Sequence, residues 1–410
     1  MDSNSLSWTH RPLRNQFQVG NNQVLRFLQD GTFQITVFSD LHFAEDEDSI
    51  KGPMQDARTA EVVRKVLKSE NSQLVVFNGD LISGYGTRAD NATLYLDQIV
   101  APVVDLGLPW ATTYGNHDNQ DFSRSTDLLK REQSYQNSLT KNMLPDTPQA
   151  GISNYFLPVY SASDSQDVPE AILWFFDSRG GDEPRDWVDN SVINWFEETS
   201  ANLTQQYNKT IPSLAFFHIP ITATYEFQEH PGVDSSREPG INGEKVWWQG
   251  RMFDGKTGHD VSFMTALSNT DGLLATFSGH DHDNDWCYKW KPLASKETVA
   301  RDGVSVCYGR HTGYGGYGNL ARGGRQILLR QETLTKEVVT WIRLEDGLVS
   351  ENVTLNATYG QDEYHPVQQH IELKRNELEG AGDRLQIATG LYSVTLFLFL
   401  MLYVPFRLRA

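Results

Sequence analysis

Five short stretches carry the side chains that bind divalent cations and move protons: Asp40-Leu41-His42, Gly79-Asp80, Gly115-Asn116-His117-Asp118, the lone His218, and Gly279-His280-Asp281-His282. Singly each is bland, because a lone carboxylate more often caps a helix and a lone histidine is more often a satisfied core residue. Together they take five of the eleven histidines and form the carboxylate, amide and imidazole set that hard or borderline divalent ions require. The donors sort into two sites. Asp40, His42 and His282 suit one ion, Asn116, His218 and His280 a second, and Asp80 is expected to bridge them. Two such ions make water nucleophilic near neutral pH and hold the oxygens of an in-line phosphoryl displacement, so a phosphate ester is the implied substrate. His117 is left over, and a protonated imidazole there would donate to the leaving-group oxygen or stabilise developing charge. Asp118 is expected to orient it and favour its charged form.

For these residues to meet, each must sit where a strand stops, since open α/β sheets bind ligands beyond the carboxyl ends of their strands. The patterning agrees. Val24–Leu28 and Thr32–Ser39, joined by an Asp30-Gly31 turn, read as a hairpin ending at Asp40. Helical spacing over 59–70, 93–106 and 187–204 alternates with short apolar strands at 73–77, 109–114, 154–160, 171–176, 212–218 and 272–279. Hairpin strands follow at 285–291, 303–309, 325–331 and 336–344. The expected architecture is α/β (α+β), a four-layer αββα sandwich of two mixed sheets flanked by helices, in one domain over 22–346. Residues 1–21 read as an extension, 226–260 as a loop insertion and 347–384 as a polar linker.

Asp-x-His, Gly-Asp, Gly-Asn-His-Asp, a lone His and Gly-His-x-His, in this order over about residues 33–283, resemble the calcineurin-like metallophosphoesterase superfamily. The stretch Phe38 to Phe43 and the glycine-rich Cys307 to Gly315 resemble its purple-acid-phosphatase-like branch of fungi and plants. The resemblance implies the metallophosphoesterase fold and a phosphatase with a dinuclear centre. It departs from true purple acid phosphatases at Ser83, where they carry a tyrosine, and at His42, where they have no histidine. The tyrosinate-bound ferric ion is therefore not expected, and two divalent ions (Mn, Fe or Zn) are. A phosphodiesterase acting on nucleotides or lipid headgroups, and an inactive scaffold of the same fold, are the alternatives.

The 410 residues carry 35 Lys+Arg against 53 Asp+Glu, a net charge of −18 that disfavours nucleic acid as a partner. The expected partner is a phosphorylated protein or small molecule. Gly313, Gly315 and Gly318 match a dinucleotide fingerprint, but no helix pattern follows, so the nucleotide reading is discarded. Arg310 and His311, at the base of that loop, are candidate substrate contacts. Cys287 and Cys307 read as small buried hydrophobes in a reducing compartment, or as a cross-strand pair in an oxidising one. The uncharged run 385–406, closed by Arg407 and Arg409, is long enough to span a bilayer and predicts a single-pass C-terminal anchor. The sequence leaves open whether the catalytic domain faces the cytosol or a lumen. No secretory signal is visible in the first 25 residues, while sequons at Asn91, Asn202, Asn208, Asn352 and Asn356 are about as many as chance gives.

Overall fold

The computed structural model describes residues 24–366 apart from 89, 121, 164–167 and 292–302. The strands are β1 (Leu25–Arg26), β2 (Thr32–Phe38), β3 (Leu74–Asn78), β4 (Trp110–Thr113), β5 (Tyr155–Tyr160), β6 (Ala171–Phe175), β7 (Ser213–Phe216) and β8 (Leu273–Ser278). They continue with β9 (Cys287–Lys289), β10 (Ser305–Tyr308), β11 (Gly323–Arg330), β12 (Val338–Leu344) and β13 (Val349–Leu355). One sheet has seven strands in the order β1-β5-β6-β7-β8-β10-β9, the other six in the order β13-β12-β11-β2-β3-β4. Both are mixed. β2, β3 and β4 run parallel, as do β6, β7, β8 and β10, so within each group the carboxyl ends emerge on one edge.

Strand side chains alternate between faces, and this divides the apolar residues among three cores. Ile35, Val37, Val76 and Ala111 of one sheet meet Phe175, Leu214, Phe216 and Phe277 of the other. Their neighbours Val75 and Phe77 point outward onto α1 (Lys51–Ser69), through Val62 and Val66, and α2 (Ala92–Asp105), through Leu96 and Val100. On the far side Trp174, Ala215 and Phe217 pack on α4 (Asn190–Tyr207), through Val192 and Phe196, and α7 (Val261–Asn269), through Phe263 and Leu267. Each fully buried Phe or Val contributes about 1.5–3 kcal/mol. These cores hold the strand ends that carry the site. The remaining helices are α3 (Phe122–Glu132), α5 (Thr222–Glu229) and α6 (Arg251–Asp254).

Two expectations need correction, and one left open is decided. The Asp30-Gly31 turn forms, with Leu28 N–H donating to Thr32 O at 2.8 Å, but it does not close a hairpin. β1 pairs with β5 in one sheet and β2 with β3 and β11 in the other, so the turn is a crossover between sheets. β13 lies within the stretch expected as linker and pairs antiparallel with β12, because Val353 and Leu355 alternate inward to the inter-sheet core. Of the two readings of Cys287 and Cys307 the cross-strand pair is the one found: the β9–β10 register sets them directly opposite, 4.0 Å apart at Cα, and they are bonded to each other. The 226–260 insertion is anchored to the domain, with Ile241, Val246, Trp248 and Gln249 buried. No helix among the described residues is long and apolar enough to cross a membrane, and the expected span 385–406 lies outside those residues, as does the 1–21 extension.

Candidate metal centre

The five stretches converge beyond the carboxyl ends of β2, β3, β4, β7 and β8. Turning so many donors into one crevice forces unusual backbone: Asp40, His42, Asp80 and His280 all have positive φ, at 57°, 48°, 51° and 79°. Non-glycine residues rarely adopt this conformation, and where they do it clusters at functional sites. Glycines supply the close approach. A Cβ on Gly79 would lie 2.3 Å from His218 Nδ1, and one on Gly115 2.3 Å from Asp80 Oδ1.

Three sets of ligand atoms lie within 4.8 Å of one another: Asp40, His42 and His282; His42, Asp80 and His117; Asp80, His218 and His280. Nδ1 of His218 donates to Asn78 O at 2.9 Å, which turns Nε2 toward Asp80 Oδ2 at 3.1 Å and Asp40 Oδ1 at 3.8 Å. His42 Nε2 and His282 Nε2 stand 3.1 Å apart, and His42 Nε2 is 3.7 Å from Asp80 Oδ2. Asn116 Oδ1, His117 Nδ1 and His280 Nδ1 are buried without hydrogen-bond partners. Leaving such atoms unpaired costs about 1–3 kcal/mol each, so the centre as built calls for a cation.

The electrostatics agree. Burial lowers His42 and His280 to about 3, so both imidazoles are neutral and have a lone pair to give. Burial also raises Asp40, to about 7, with the Asp80 charge adding to the shift. Desolvation would raise Asp80 as well, but His218 outweighs it and holds that carboxyl low. His218 itself is lifted to about 10, its burial outweighed by Asp80 and Asp40. Asp80 and Asp40 thus favour a proton on His218, a role that bound cations would take over.

The other expected site residues fall differently. His117 is half-buried, its ring 4.9 Å from that of His42, and its backbone N–H donates to Asp80 Oδ1 at 2.8 Å. Asp118 does not orient His117. It accepts from the backbone N–H groups of Leu81, Ile82 and Gly115 at 2.9, 3.2 and 2.9 Å, tying the Asp80 loop to the Asn116 loop. Arg310 is buried, with its guanidinium on Asp285 and on Ala321 O, so it anchors its loop and offers nothing to a substrate. His311 is also buried, its ring 3.8 Å from that of His282, and it packs behind the centre. Ser83 Oγ lies 3.4 Å from His42 Nδ1. Two further residues reach the centre: Tyr317, stacked on His282, and Glu244, which accepts from the Tyr317 hydroxyl. Tyr317 lies between Gly316 and Gly318, so the glycine loop marks it, whereas nothing in the sequence marks Glu244.

Two mixed sheets whose parallel strands deliver Asp, Asn and His to one crevice make a protein of the two-layered α/β class with a donor set for divalent cations. The chain belongs to the calcineurin-like phosphoesterase family, whose profile matches residues 33–284; it is a phosphoesterase, a hydrolase of a family that works with divalent metals. It is 29% identical over 395 residues to "Probable inactive purple acid phosphatase 14" of Arabidopsis thaliana, covering 84% of this chain and 90% of that one. It is 31% identical over 305 residues to "Phosphatase DCR2" of Saccharomyces cerevisiae, covering 70% of this chain and 49% of that one. Among solved structures, a dimetal phosphatase from Danio rerio matches with TM-score 0.49 at 14% identity, over 79% of this chain and 99% of that one.

Proposed function

We propose that the chain is an active, cation-dependent phosphomonoesterase. The observation that carries this reading is the convergence of three ligand sets, buried but for half-exposed His117 and His280, together with unpartnered Asn116 Oδ1 and His280 Nδ1. Asp40, His42 and His282 would hold one divalent ion, and His218, His280 and Asn116 the other, with Asp80 between them. The mixed imidazole, carboxylate and amide donors suit Mn, Fe(II) or Zn. When bound, the ions supply a nucleophilic water near neutral pH and electrostatic hold on the phosphate oxygens.

The chain's own groups do the rest. His117, fixed through its backbone on Asp80, holds a proton for the leaving-group oxygen. Asp118 keeps the two loops in register through three amides. The plant relatives are named probable inactive, but in this chain all seven expected donor positions carry metal-binding side chains, which supports activity here.

Monoesters are favoured over diesters because the yeast relative is named a phosphatase. The substrate is a phosphorylated protein or small molecule, and the uncharged run 385–406 would tether the enzyme to a membrane. Hydrolysis of p-nitrophenyl phosphate and bis-p-nitrophenyl phosphate by the full chain tests the reading. Monoester turnover at least tenfold faster supports it, and preference for the diester overturns it.

A further inference from the structure

The glycine-rich loop that mimics a nucleotide fingerprint lies across the Asp40, His42 and His282 set. Its backbone is pressed against the residues that carry those ligands. A Cβ on Gly315 would lie 2.1 Å from His42 O, and one on Gly316, at φ +70°, 2.5 Å from His282 Cε1. Only glycine fits at such separations, so the loop is built to touch this set.

Tyr317 makes four separate contacts at the end of that loop. Its carbonyl accepts from His282 Nδ1 at 2.9 Å. A carbonyl cannot donate, so Nδ1 carries the hydrogen and Nε2 is left with the lone pair, 3.1 Å from His42 Nε2 and 3.8 Å from Asp40 Oδ1. The Tyr317 ring lies flat on the imidazole, with centroids 4.0 Å apart and planes 11° apart. Its hydroxyl accepts from the His282 backbone N–H at 3.3 Å and donates to Glu244 Oε2 at 2.8 Å. The second Glu244 oxygen accepts from Asp283 N–H at 2.6 Å, one residue beyond His282. Tautomer, ring plane and backbone of His282 are thus all held by one tyrosine and one glutamate, the latter delivered by the insertion.

We propose that Tyr317 and Glu244 form a latch that positions His282 and so sets the cation affinity of the Asp40, His42 and His282 site, leaving the Asp80, His218 and His280 site alone. The inference rests on the dinuclear reading above and adds the residues that tune one half of it. Tyr317 is 51% exposed, so truncating it leaves the cores intact. Loss of partners that orient a metal-binding histidine typically weakens the metal by about 10–100-fold.

The test is stepwise Zn2+ titration of the metal-stripped full chain against a chromophoric chelator, for the wild type, Tyr317→Ala and Tyr317→Phe. Tyr317→Ala is expected to weaken one of the two equivalents about 10–100-fold and leave the other unchanged. Tyr317→Phe, which keeps the ring on His282 but loses the hydroxyl bonded to His282 N–H and Glu244, is expected to weaken the same equivalent by less than Tyr317→Ala, a graded loss confined to one site that general disturbance of the fold would not produce. Two unchanged equivalents in Tyr317→Ala, or equal weakening of both, would overturn the latch while leaving the dinuclear reading in place. A wild type that takes up no Zn2+ would overturn both.

Discussion

The backbone N–H of His117 donates to Asp80 Oδ1 at 2.8 Å, so the candidate proton donor and the carboxylate between the two cation sites are fixed to each other directly. The His117 side chain is not needed for that bond. His117→Asn should therefore retain its cations while losing turnover by about 10²–10⁴-fold, the usual worth of a positioned acid. Metal content and kcat measured on the same sample check this; cation loss parallel to the loss of turnover would make His117 a ligand first.

Arg310 gives the opposite expectation from the one its place beside the glycine loop suggests. Its guanidinium pairs with Asp285 inside the protein, and removing one partner of a buried pair typically costs about 3–5 kcal/mol. Arg310→Ala should lower the unfolding midpoint clearly and leave KM for p-nitrophenyl phosphate within about twofold at a temperature where the variant is folded. A large rise in KM with unchanged stability would restore Arg310 as a substrate contact.

The Cys287–Cys307 bond closes a loop with a sequence separation of 20, for which chain entropy predicts about 3 kcal/mol of stabilisation. Denatured but unreduced protein should take up no iodoacetamide at either cysteine by mass spectrometry. The Cys287→Ala, Cys307→Ala double variant should unfold at a lower denaturant midpoint.

Asp260 is buried and accepts from Thr222 N–H at 2.7 Å and Thr222 Oγ1 at 2.6 Å. Burial raises its carboxyl to about 6 despite those bonds. Because the folded value lies above the unfolded one, its contribution to stability is full below about pH 4 and is lost as the pH rises through about 6. In Asp260→Asn that downward component of the stability profile between about pH 4 and 6 should vanish, measured by urea unfolding across the range. An unchanged slope would place the titration elsewhere.

Much of the site was legible because its residues follow short apolar strands: Asp40 comes two residues after Phe38, the last residue of β2, and Asp80 two after Asn78, the last of β3. Periodicity finds such strands, and the donor types beyond them name the chemistry. What periodicity does not carry is which sheet a strand joins. Leu25–Arg26 has the pattern and turn of a hairpin partner, yet it pairs with β5, a choice made by long-range packing. Nor does residue type tell which way a charge faces, so Arg310 beside a glycine loop reads alike whether it meets phosphate or Asp285. Glu244 reaches Tyr317 from 73 residues away, out of an insertion with no period. The disulfide required register, which sets Cys287 opposite Cys307 only once β9 and β10 are paired.

The central claim is that this chain holds two cations at Asp40, His42, Asp80, Asn116, His218, His280 and His282 and cleaves phosphate esters with them. Elemental analysis of the purified full chain, stripped with chelator and reloaded with Mn2+ or Zn2+, tests it most directly when hydrolysis of p-nitrophenyl phosphate is followed on the same samples. About two ions per chain, hydrolysis that returns with them, and loss of both in Asp80→Asn are expected. Fewer than about one ion per chain in the wild type, or full hydrolysis by the stripped protein, would contradict it.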